Sequence, residues 1–292
     1  MKHLITILLL TSLFSCNSND SKADGYGNFE ATEVTISAEA NGKLEYLNLE
    51  EGDIIQANTL VGLVDTTQLH YNKQQLLASK ETVYSKSANV LSQIDVLQAQ
   101  LKTTLIEQKR VQNMFAENAA TKRQVDEIEG KIAVIKEQIK GVQTQNTPIL
   151  NEIASLDVQI EKTNDQIKKS KIINPIQATV LAKYAEPNEI TSFGKPIYKI
   201  ANLGLMTLRV YISETQLPQI KLNQKVTVKI DNGSVMKSYP GTISWISSVA
   251  EFTPKIIQTK EERVNLVYAV KVEVKNDGSL KIGMPAEMWI TP

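Results

Sequence analysis

The chain has 292 residues, of which 42% are hydrophobic and 5% aromatic, and its 32 basic side chains balance 32 acidic ones. Because phosphate binding needs a basic face, this charge balance argues against a nucleic-acid partner. The length suffices for two or three modules, and the low aromatic content suits a long coiled coil with modest globular cores.

The first fifteen residues have the pattern of an export signal. Lys2 precedes a mostly apolar run from Leu4 to Leu13, which is too short to span a bilayer stably. The run ends in Leu-Phe-Ser-Cys, which resembles a lipobox, where the cysteine is lipidated and becomes the new N-terminus. Cys16 is the only cysteine, so we expect no disulfide in the exported body. An ordinary signal peptide with an incidental cysteine is the alternative.

Residues 16–30 are predicted to form a flexible tether. The segment after Cys16 is rich in Asn, Ser, Asp and Gly, which are small polar residues typical of flexible linkers. Removal of residues 1–15 would leave 31 basic against 32 acidic side chains, so the charge stays near zero. A lipid on Cys16 together with this tether would hold the protein at a membrane surface.

Two segments, residues 31–66 and 172–203, look like halves of one small β-domain. A shift of 136 positions aligns them without a gap. The matched pairs are Leu44 with Val180, Glu50 with Glu186, Asp53 with Glu189, Ile54 with Ile190, Val61 with Ile197 and Val64 with Ile200. Short alternating strands separated by turn residues complete the pattern, which resembles the flattened sandwich of lipoyl and biotinyl carrier domains. A carrier function is not expected, because residues 67–171 replace the hairpin that would bear the modifiable lysine.

Residues 67–171 are predicted to form a long antiparallel coiled-coil hairpin. Apolar positions at strict 3-4 spacing indicate a coiled-coil seam. The second arm has fourteen such positions, eleven of them aliphatic: Val125, Ile128, Ile132, Ile135, Ile139, Val142, Asn146, Ile149, Ile153, Leu156, Ile160, Thr163, Ile167 and Ser170. The first arm supplies the partner row at Leu76, Val83, Val90, Leu97 and Val111, with Ile94, Leu101 and Phe115 beside it. Each arm of roughly 45 residues would be about 65–70 Å long.

Pro148 interrupts the second arm beside the polar seam position Asn146. Proline removes one backbone hydrogen bond of a helix and usually kinks it. We therefore predict a bend or a local break between residues 144 and 150.

The tip of the hairpin is predicted to lie between Ala116 and Thr121. Asn118 tolerates the left-handed conformation that ends a helix. Thr121 and Gln124 have the spacing of a capping box, which would start the second helix.

Residues 204–292 are predicted to form a small β-barrel. Strands are expected at Met206–Ile212, Lys225–Ile230, Thr242–Ser247, Leu266–Val274 and Ala286–Ile290. Ser213 and Gln216 have the spacing to cap one short helix after the first strand. Four large side chains are expected in the barrel core: Trp245, Met284, Met288 and Trp289.

The order of sandwich half, hairpin, sandwich half and barrel resembles the periplasmic adaptors of the HlyD type, also called membrane fusion proteins. Adaptors that dock TolC-like outer-membrane channels carry an arginine at the tip, a leucine four residues on and a serine eleven residues on. The corresponding residues are Arg110, Met114 and Thr121, and Asn118 stands where the family often has glycine. The resemblance implies that these three residues form the channel-docking tip, although each also has a purely structural explanation.

A second segment, residues 250–268, resembles the barrel signature of adaptors that partner ABC exporters, and residues 283–286 follow it as Gly-Met-Pro-Ala. The resemblance implies a lipid-anchored protein on the periplasmic face of the inner membrane in a two-membrane bacterium. It also implies an ABC-type exporter and a TolC-like channel as partners, with six copies in a ring. An adaptor of a proton-driven transporter and an envelope scaffold without transport are the alternatives.

Catalysis is not expected from this sequence. A zinc site needs three or four clustered ligands, whereas the chain has only His3, within the predicted signal, and His70. The Gly-Lys pairs at 42–43 and 194–195 lack the rest of a phosphate-binding loop, and no G-x-S-x-G elbow is present. We predict no metal and no cofactor, and the sequence does not identify a transported substrate.

Overall fold

The computed structural model describes residues 22–231, 233, 235–252 and 266–290. The molecule is elongated, with a lipoyl-like β-sandwich split by a two-helix coiled coil and followed by a β-barrel, which confirms the predicted fold class. The elements are β1 Gly25–Glu30, β2 Glu33–Ser37, β3 Gly42–Leu47, β4 Ile54–Ile55, β5 Thr59–Val64, α1 Thr67–Ala116, α2 Lys122–Lys169, β6 Lys171–Asn174, β7 Ala178–Lys183, β8 Ile190–Thr191, β9 Pro196–Ala201, β10 Leu205–Ser213, β11 Lys225–Asp231, β12 Met236–Ile246, β13 Glu251–Phe252, β14 Leu266–Lys275 and β15 Pro285–Ile290.

The sandwich is built from two four-stranded sheets. The 136-residue repeat relates β2, β3, β4 and β5 to β6, β7, β8 and β9, and the two sheets have equivalent strand orders under this repeat. One sheet runs β2-β9-β7-β4 and the other β6-β5-β3-β8, so each combines strands from both halves of the chain. The 136-residue repeat is visible in the hydrogen bonds. Gly52 N–H donates to the Val180 carbonyl at 2.9 Å, and at the matching positions Asn188 N–H donates to the Leu44 carbonyl at 2.7 Å. Neither half can close its sheets alone, so the hairpin must return the chain to the point it left.

One buried polar group distinguishes the two halves. Tyr198 is completely buried, and its hydroxyl donates to Asn174 Oδ1 at 3.3 Å. Asn174 Nδ2 in turn donates to the Gln56 carbonyl at 3.0 Å. In the 136-residue repeat, the counterpart of Tyr198 is Gly62. A Cβ at Gly62 would lie 3.0 Å from the Tyr46 carbonyl oxygen. The large side chain therefore fits on one side of the core only.

The seam of the coiled coil follows the predicted heptads. All fourteen predicted positions of the second arm are buried or half-buried. Two polar contacts cross the seam: Ser87 Oγ donates to Asn146 Oδ1 at 2.8 Å, and Lys80 forms an ion pair with Asp157. A buried polar pair is satisfied in one register only, so the Ser87–Asn146 contact helps to fix how the helices align.

The predicted local break at Pro148 is wrong, because α2 continues as a helix from Lys122 to Lys169, and the alternative of a bend stays a prediction. Pro148 and Thr144 both lie on the exposed side of the helix. Proline cannot donate to the Thr144 carbonyl, but water can reach this carbonyl on the exposed face. The seam residues on either side of Pro148 keep the helix packed against α1.

The barrel is closed by six strands in the order β10-β1-β15-β11-β12-β14, since β14 pairs back to β10. The five predicted strands are present as β10, β11, β12, β14 and β15, although β12 begins at Met236 rather than Thr242. The predicted cap between Ser213 and Gln216 forms, with Ser213 N–H donating to Gln216 Oε1 at 2.9 Å, but the helix after it is a three-residue 3-10 turn at Leu217–Gln219.

The sixth strand corrects the prediction for the tether. Residues 25–30 form β1, which pairs with both β10 and β15, so the predicted flexibility is wrong for this part of residues 16–30. Phe29 is completely buried in the barrel core. Gly27 lies so close to β10 that a Cβ would be 1.8 Å from the Arg209 carbonyl oxygen. Only glycine, which has no Cβ, fits at position 27 against this backbone.

Two of the four side chains predicted for the barrel core lie elsewhere. Met288 is completely buried and Met284 packs against the core, as predicted. Trp289 follows Met288 directly and therefore points to the outer surface, where Lys229 Nζ lies 4.0 Å from its ring centroid. Trp245 is exposed on the same outer surface. The prediction was wrong for both tryptophans. Trp289 alternates with buried Met288, whereas a β-bulge between Ile243 and Trp245 shifts the alternation of β12, so that Trp245 faces outward.

Burial raises the pKa of Tyr198 to about 12. An unfolded tyrosine titrates near pH 10, so the folded protein holds a proton between about pH 10 and 12 that the unfolded chain releases. We expect this contribution to stability to be complete below pH 10 and to be lost as the pH rises through this interval, by about 2–3 kcal/mol. Urea unfolding of wild type and Tyr198→Phe between pH 8 and 12 measures it.

Tyr198→Phe should lower stability at neutral pH by about 1 kcal/mol, because Asn174 loses a donor. It should also be less sensitive to alkali than wild type. Tyr71→Phe, which changes an exposed tyrosine of α1, is the matched control and should keep the wild-type pH dependence. Equal alkaline losses in wild type and Tyr198→Phe would contradict the assignment.

Candidate functional site

The first helix ends at the tip through the predicted left-handed residue. Asn118 has a φ of 60°, and Ala119 N–H donates to the Met114 carbonyl at 2.8 Å. Glu117 N–H reaches the Asn113 carbonyl at 3.2 Å. These bonds satisfy carbonyls of the last turn, so the chain reverses immediately after Ala116.

The second helix begins with the predicted capping box. Thr121 N–H donates to Gln124 Oε1 at 2.7 Å, and Gln124 N–H donates to Thr121 Oγ1 at 3.4 Å. The Thr121 hydroxyl also donates to Gln124 Oε1 at 3.0 Å. The hydroxyl is thus used within the tip, and its structural role is established independently of any partner.

The apex presents two large apolar side chains to solvent. Met114 is 40% exposed and Phe115 43% exposed. The prediction that Phe115 fills the seam is wrong, since α1 ends one residue later and the half-buried seam stops at Val111. A pair of apolar residues on the end of a projecting hairpin is a surface suited to a protein partner.

Arg110 lies one helical turn before Met114 and on the same face of α1. Its Nη1 is 2.8 Å from Glu107 Oε2, an exposed pair of the kind that contributes little to stability. On α2, a hydrogen bond to Asp126 raises the pKa of Lys122. The tip therefore combines an exposed guanidinium with an apolar apex, and on α2 Lys122 and Arg123 pair with Asp126 and Glu127.

The structure brings the three predicted docking residues to one end of the hairpin. Arg110 and Met114 lie on α1, and Thr121 opens α2 directly after the turn. Sequence reasoning missed Phe115 as an apex residue, although its position in the last turn before the chain reversal was a usable signal. Cys16 and residues 253–265 of the second resemblance segment lie outside the described residues.

In the described part of the chain, no helix combines the length and the apolar character needed to cross a lipid bilayer. Within these residues, no group of three or more His, Cys, Asp or Glu side chains is placed to hold a metal ion.

Comparison with known proteins gives the same architecture. A UPF0194 membrane protein of Acidithiobacillus ferridurans is 26% identical over 290 residues, covering 91% of this chain and 86% of that protein. MacA of Actinobacillus actinomycetemcomitans aligns with a TM-score of 0.54 at 19% identity, covering 90% of this chain and 76% of MacA. The membrane fusion protein Spr0693 of Streptococcus pneumoniae aligns with a TM-score of 0.52 at 16% identity, covering 91% and 97%. No protein-family model matches the chain. At these identities the comparisons establish a shared fold with membrane fusion proteins.

The capping box generates a prediction for the tip. Thr121→Ala removes the acceptor for Gln124 N–H and should destabilise the start of α2 by about 1 kcal/mol. We expect roughly fivefold faster hydrogen exchange in the amides of the first turn of α2, measured by mass spectrometry on peptides spanning the tip. Thr121→Ser keeps the hydroxyl and should exchange like wild type. Unchanged exchange in Thr121→Ala would show that the cap does not hold the turn.

Proposed function

We propose that this chain is a non-enzymatic periplasmic adaptor that links an inner-membrane exporter to a TolC-like outer-membrane channel. The hairpin tip binds the channel through Arg110, Met114 and Thr121, with Phe115 beside them. The barrel sits on the exporter. Cys16 carries a lipid that anchors the protein to the inner membrane of a two-membrane bacterium.

The observation that carries this proposal is the composition of the apex. Two large apolar side chains and one guanidinium are exposed where both helices end, and the turn that presents them is held by specific hydrogen bonds. Apolar anchors beside an arginine are the usual makeup of protein-binding hot spots. A helical tip that served only to reverse the chain would not need exposed Met and Phe side chains.

The dimensions of the hairpin support a bridging role. The helix α1 has 50 residues and therefore extends about 75 Å. Such a projection separates the tip from the barrel by more than the size of a small domain. A protein that binds one partner at the tip and another at the barrel can connect two membranes.

The finer assignments rest on the sequence resemblance. Residues 250–268 favour an ABC-type exporter over a proton-driven transporter. The sandwich domains, residues 31–66 with 172–203, would pack side by side in a ring of six, and the hairpins, residues 67–171, would form a tube end. The energy for transport would come from the exporter, so the adaptor needs no cofactor.

Arg110→Asp tests the docking tip. Charge reversal removes a charge-assisted contact of roughly 1.5–3 kcal/mol, so export should fall by about tenfold or more. A photo-crosslinking residue at Met114 should capture an outer-membrane channel in the wild-type background and lose it with Arg110→Asp. The matched control is Lys102→Asp, the same charge change at an exposed position two turns further from the tip. Normal export in a well-expressed Arg110→Asp strain would refute the docking assignment.

A second photo-crosslinking residue at Thr259 tests the transporter class. We expect it to capture an ABC permease, identified by mass spectrometry. Capture of a proton-driven transporter would keep the adaptor function and overturn the ABC assignment. Capture of neither a transporter at Thr259 nor a channel at Met114 would identify the protein as an envelope scaffold.

A further inference from the structure

The end of the barrel where the chain enters from the tether is called here the barrel base. It is defined by the residues Asp24, Ser213, Ile246, Phe252, Leu266 and Ile290. The strand pairings bring these positions together, since Ser213 pairs with Val267 and Phe252 with Leu266. Asp24 joins them because its carboxylate accepts a hydrogen bond from Ile290 N–H at 2.7 Å. The sandwich is attached at the other end, through Glu30 and Leu205.

Three apolar side chains at the barrel base are exposed, and we call them the base patch: Val249, Phe252 and Leu266. Phe252 is 84% exposed and Val249 70% exposed, and Leu266 is half-exposed. Phe252 and Leu266 lie opposite each other on β13 and β14, so their side chains share one face of the sheet. The paired Phe252 and Leu266 side chains, with exposed Val249 three residues before Phe252, indicate a contact surface.

The polar residues around the base patch suit a lipid headgroup layer. Glu251, which precedes Phe252 on β13, is paired with Arg209, whose Nη2 lies 3.1 Å from the carboxylate. This pairing offsets a charge that would oppose approach to an anionic surface. Trp245 lies nearby on the outer wall, with Lys271 Nζ 5.3 Å from its ring centroid. A tryptophan beside a lysine is typical of the boundary between membrane and water.

The position of the chain entry identifies the occupant. Cys16 precedes Asp24 by eight residues, which span at most about 28 Å when extended and about 16 Å on average as a flexible chain. A lipid on Cys16 therefore confines the barrel base to the vicinity of the bilayer, at a high effective concentration. The exposed apolar side chains of the sandwich and the hairpin lack this tie, because these domains are attached at the opposite end of the barrel from Asp24.

We propose that the base patch inserts into the headgroup region of the membrane that carries the Cys16 lipid. This inference rests on the lipid anchor of the proposed function. Apolar side chains that enter the interface add a second membrane contact to a single anchor and fix its orientation. The barrel would then stand on the membrane surface in one orientation, instead of rotating about its tether.

Brominated lipids test this contact. The chain beginning at Cys16 keeps every described residue, and its single thiol can be coupled to a maleimide lipid in vesicles of phosphatidylglycerol and phosphatidylcholine brominated on the acyl chains. The two native tryptophans, Trp245 and Trp289, report proximity to the bilayer by quenching. We expect strong quenching in wild type relative to unbrominated vesicles, and loss of most of it in the double variant Val249→Asp, Phe252→Asp.

Val235→Asp is the matched control. Val235 is 71% exposed, like Val249, but it precedes β12 at the end of the barrel next to the sandwich. Its substitution should leave the quenching unchanged. All variants replace exposed side chains, and matching thermal unfolding curves would show that they fold.

Absence of quenching in wild type would overturn the proposal, as would equal quenching in wild type and the double variant. Capture of a membrane protein by a photo-crosslinker at Phe252, without quenching, would assign the base patch to a protein partner instead. Because the maleimide lipid supplies the anchor, absence of quenching would refute insertion of the base patch without contradicting the lipidation of Cys16 in the cell. Failure of the Met114 and Thr259 crosslinks would contradict the adaptor function and leave the vesicle result standing.

Discussion

Closure of the sandwich is the constraint on which the rest of the molecule depends. Each sheet takes strands from both halves of the chain, so residues 171–201 must meet residues 33–64 after a helical excursion. The pairing of β5 with β6 clamps the two ends of the hairpin together. The helices must therefore be antiparallel and nearly equal in length, as their 50 and 48 residues are. The tip owes its exposed position to this clamp.

The two helices extend from the clamped ends of the hairpin and present the tip away from the sandwich. Aliphatic seam residues stabilise it along its length, and the Ser87–Asn146 contact helps to set its register. At the apex the seam ends, and hydrogen bonds donated by Asn118 N–H and Thr121 N–H hold the turn in place of side-chain packing. Because the turn is held by its own backbone and caps, Met114 and Phe115 are left available to a partner.

The barrel depends on a strand that lies far from it in sequence. The strand β1 sits between β10 and β15, so the first described strand closes a domain otherwise made by the last third of the chain. This arrangement holds the tether at the barrel base and ties any anchor at Cys16 to that end of the molecule. The 136-residue repeat aligns Asp65, after which the chain enters the hairpin, with Ala201, after which it enters the barrel. The two projecting domains thus leave the sandwich through equivalent positions.

Local patterns in the sequence determined the periodic elements: the fourteen seam positions of α2, the 136-residue repeat, the Asn118 turn and the Thr121 cap all depend on short-range spacing or on burial of one face. The resemblance to periplasmic adaptors, and not these local patterns, pointed to Arg110, Met114 and Thr121 as the docking residues. Only the tertiary structure decided the features that depend on distant partners. The strand β1 forms because Gly27 fits against Arg209, and Pro148 is tolerated because α1 holds the helix around it. Trp245 faces outward because β12 has a β-bulge against β14. Phe115 is exposed because α1 ends one residue later, and its place in the last turn before the reversal, rather than the heptad, was the sequence signal for this.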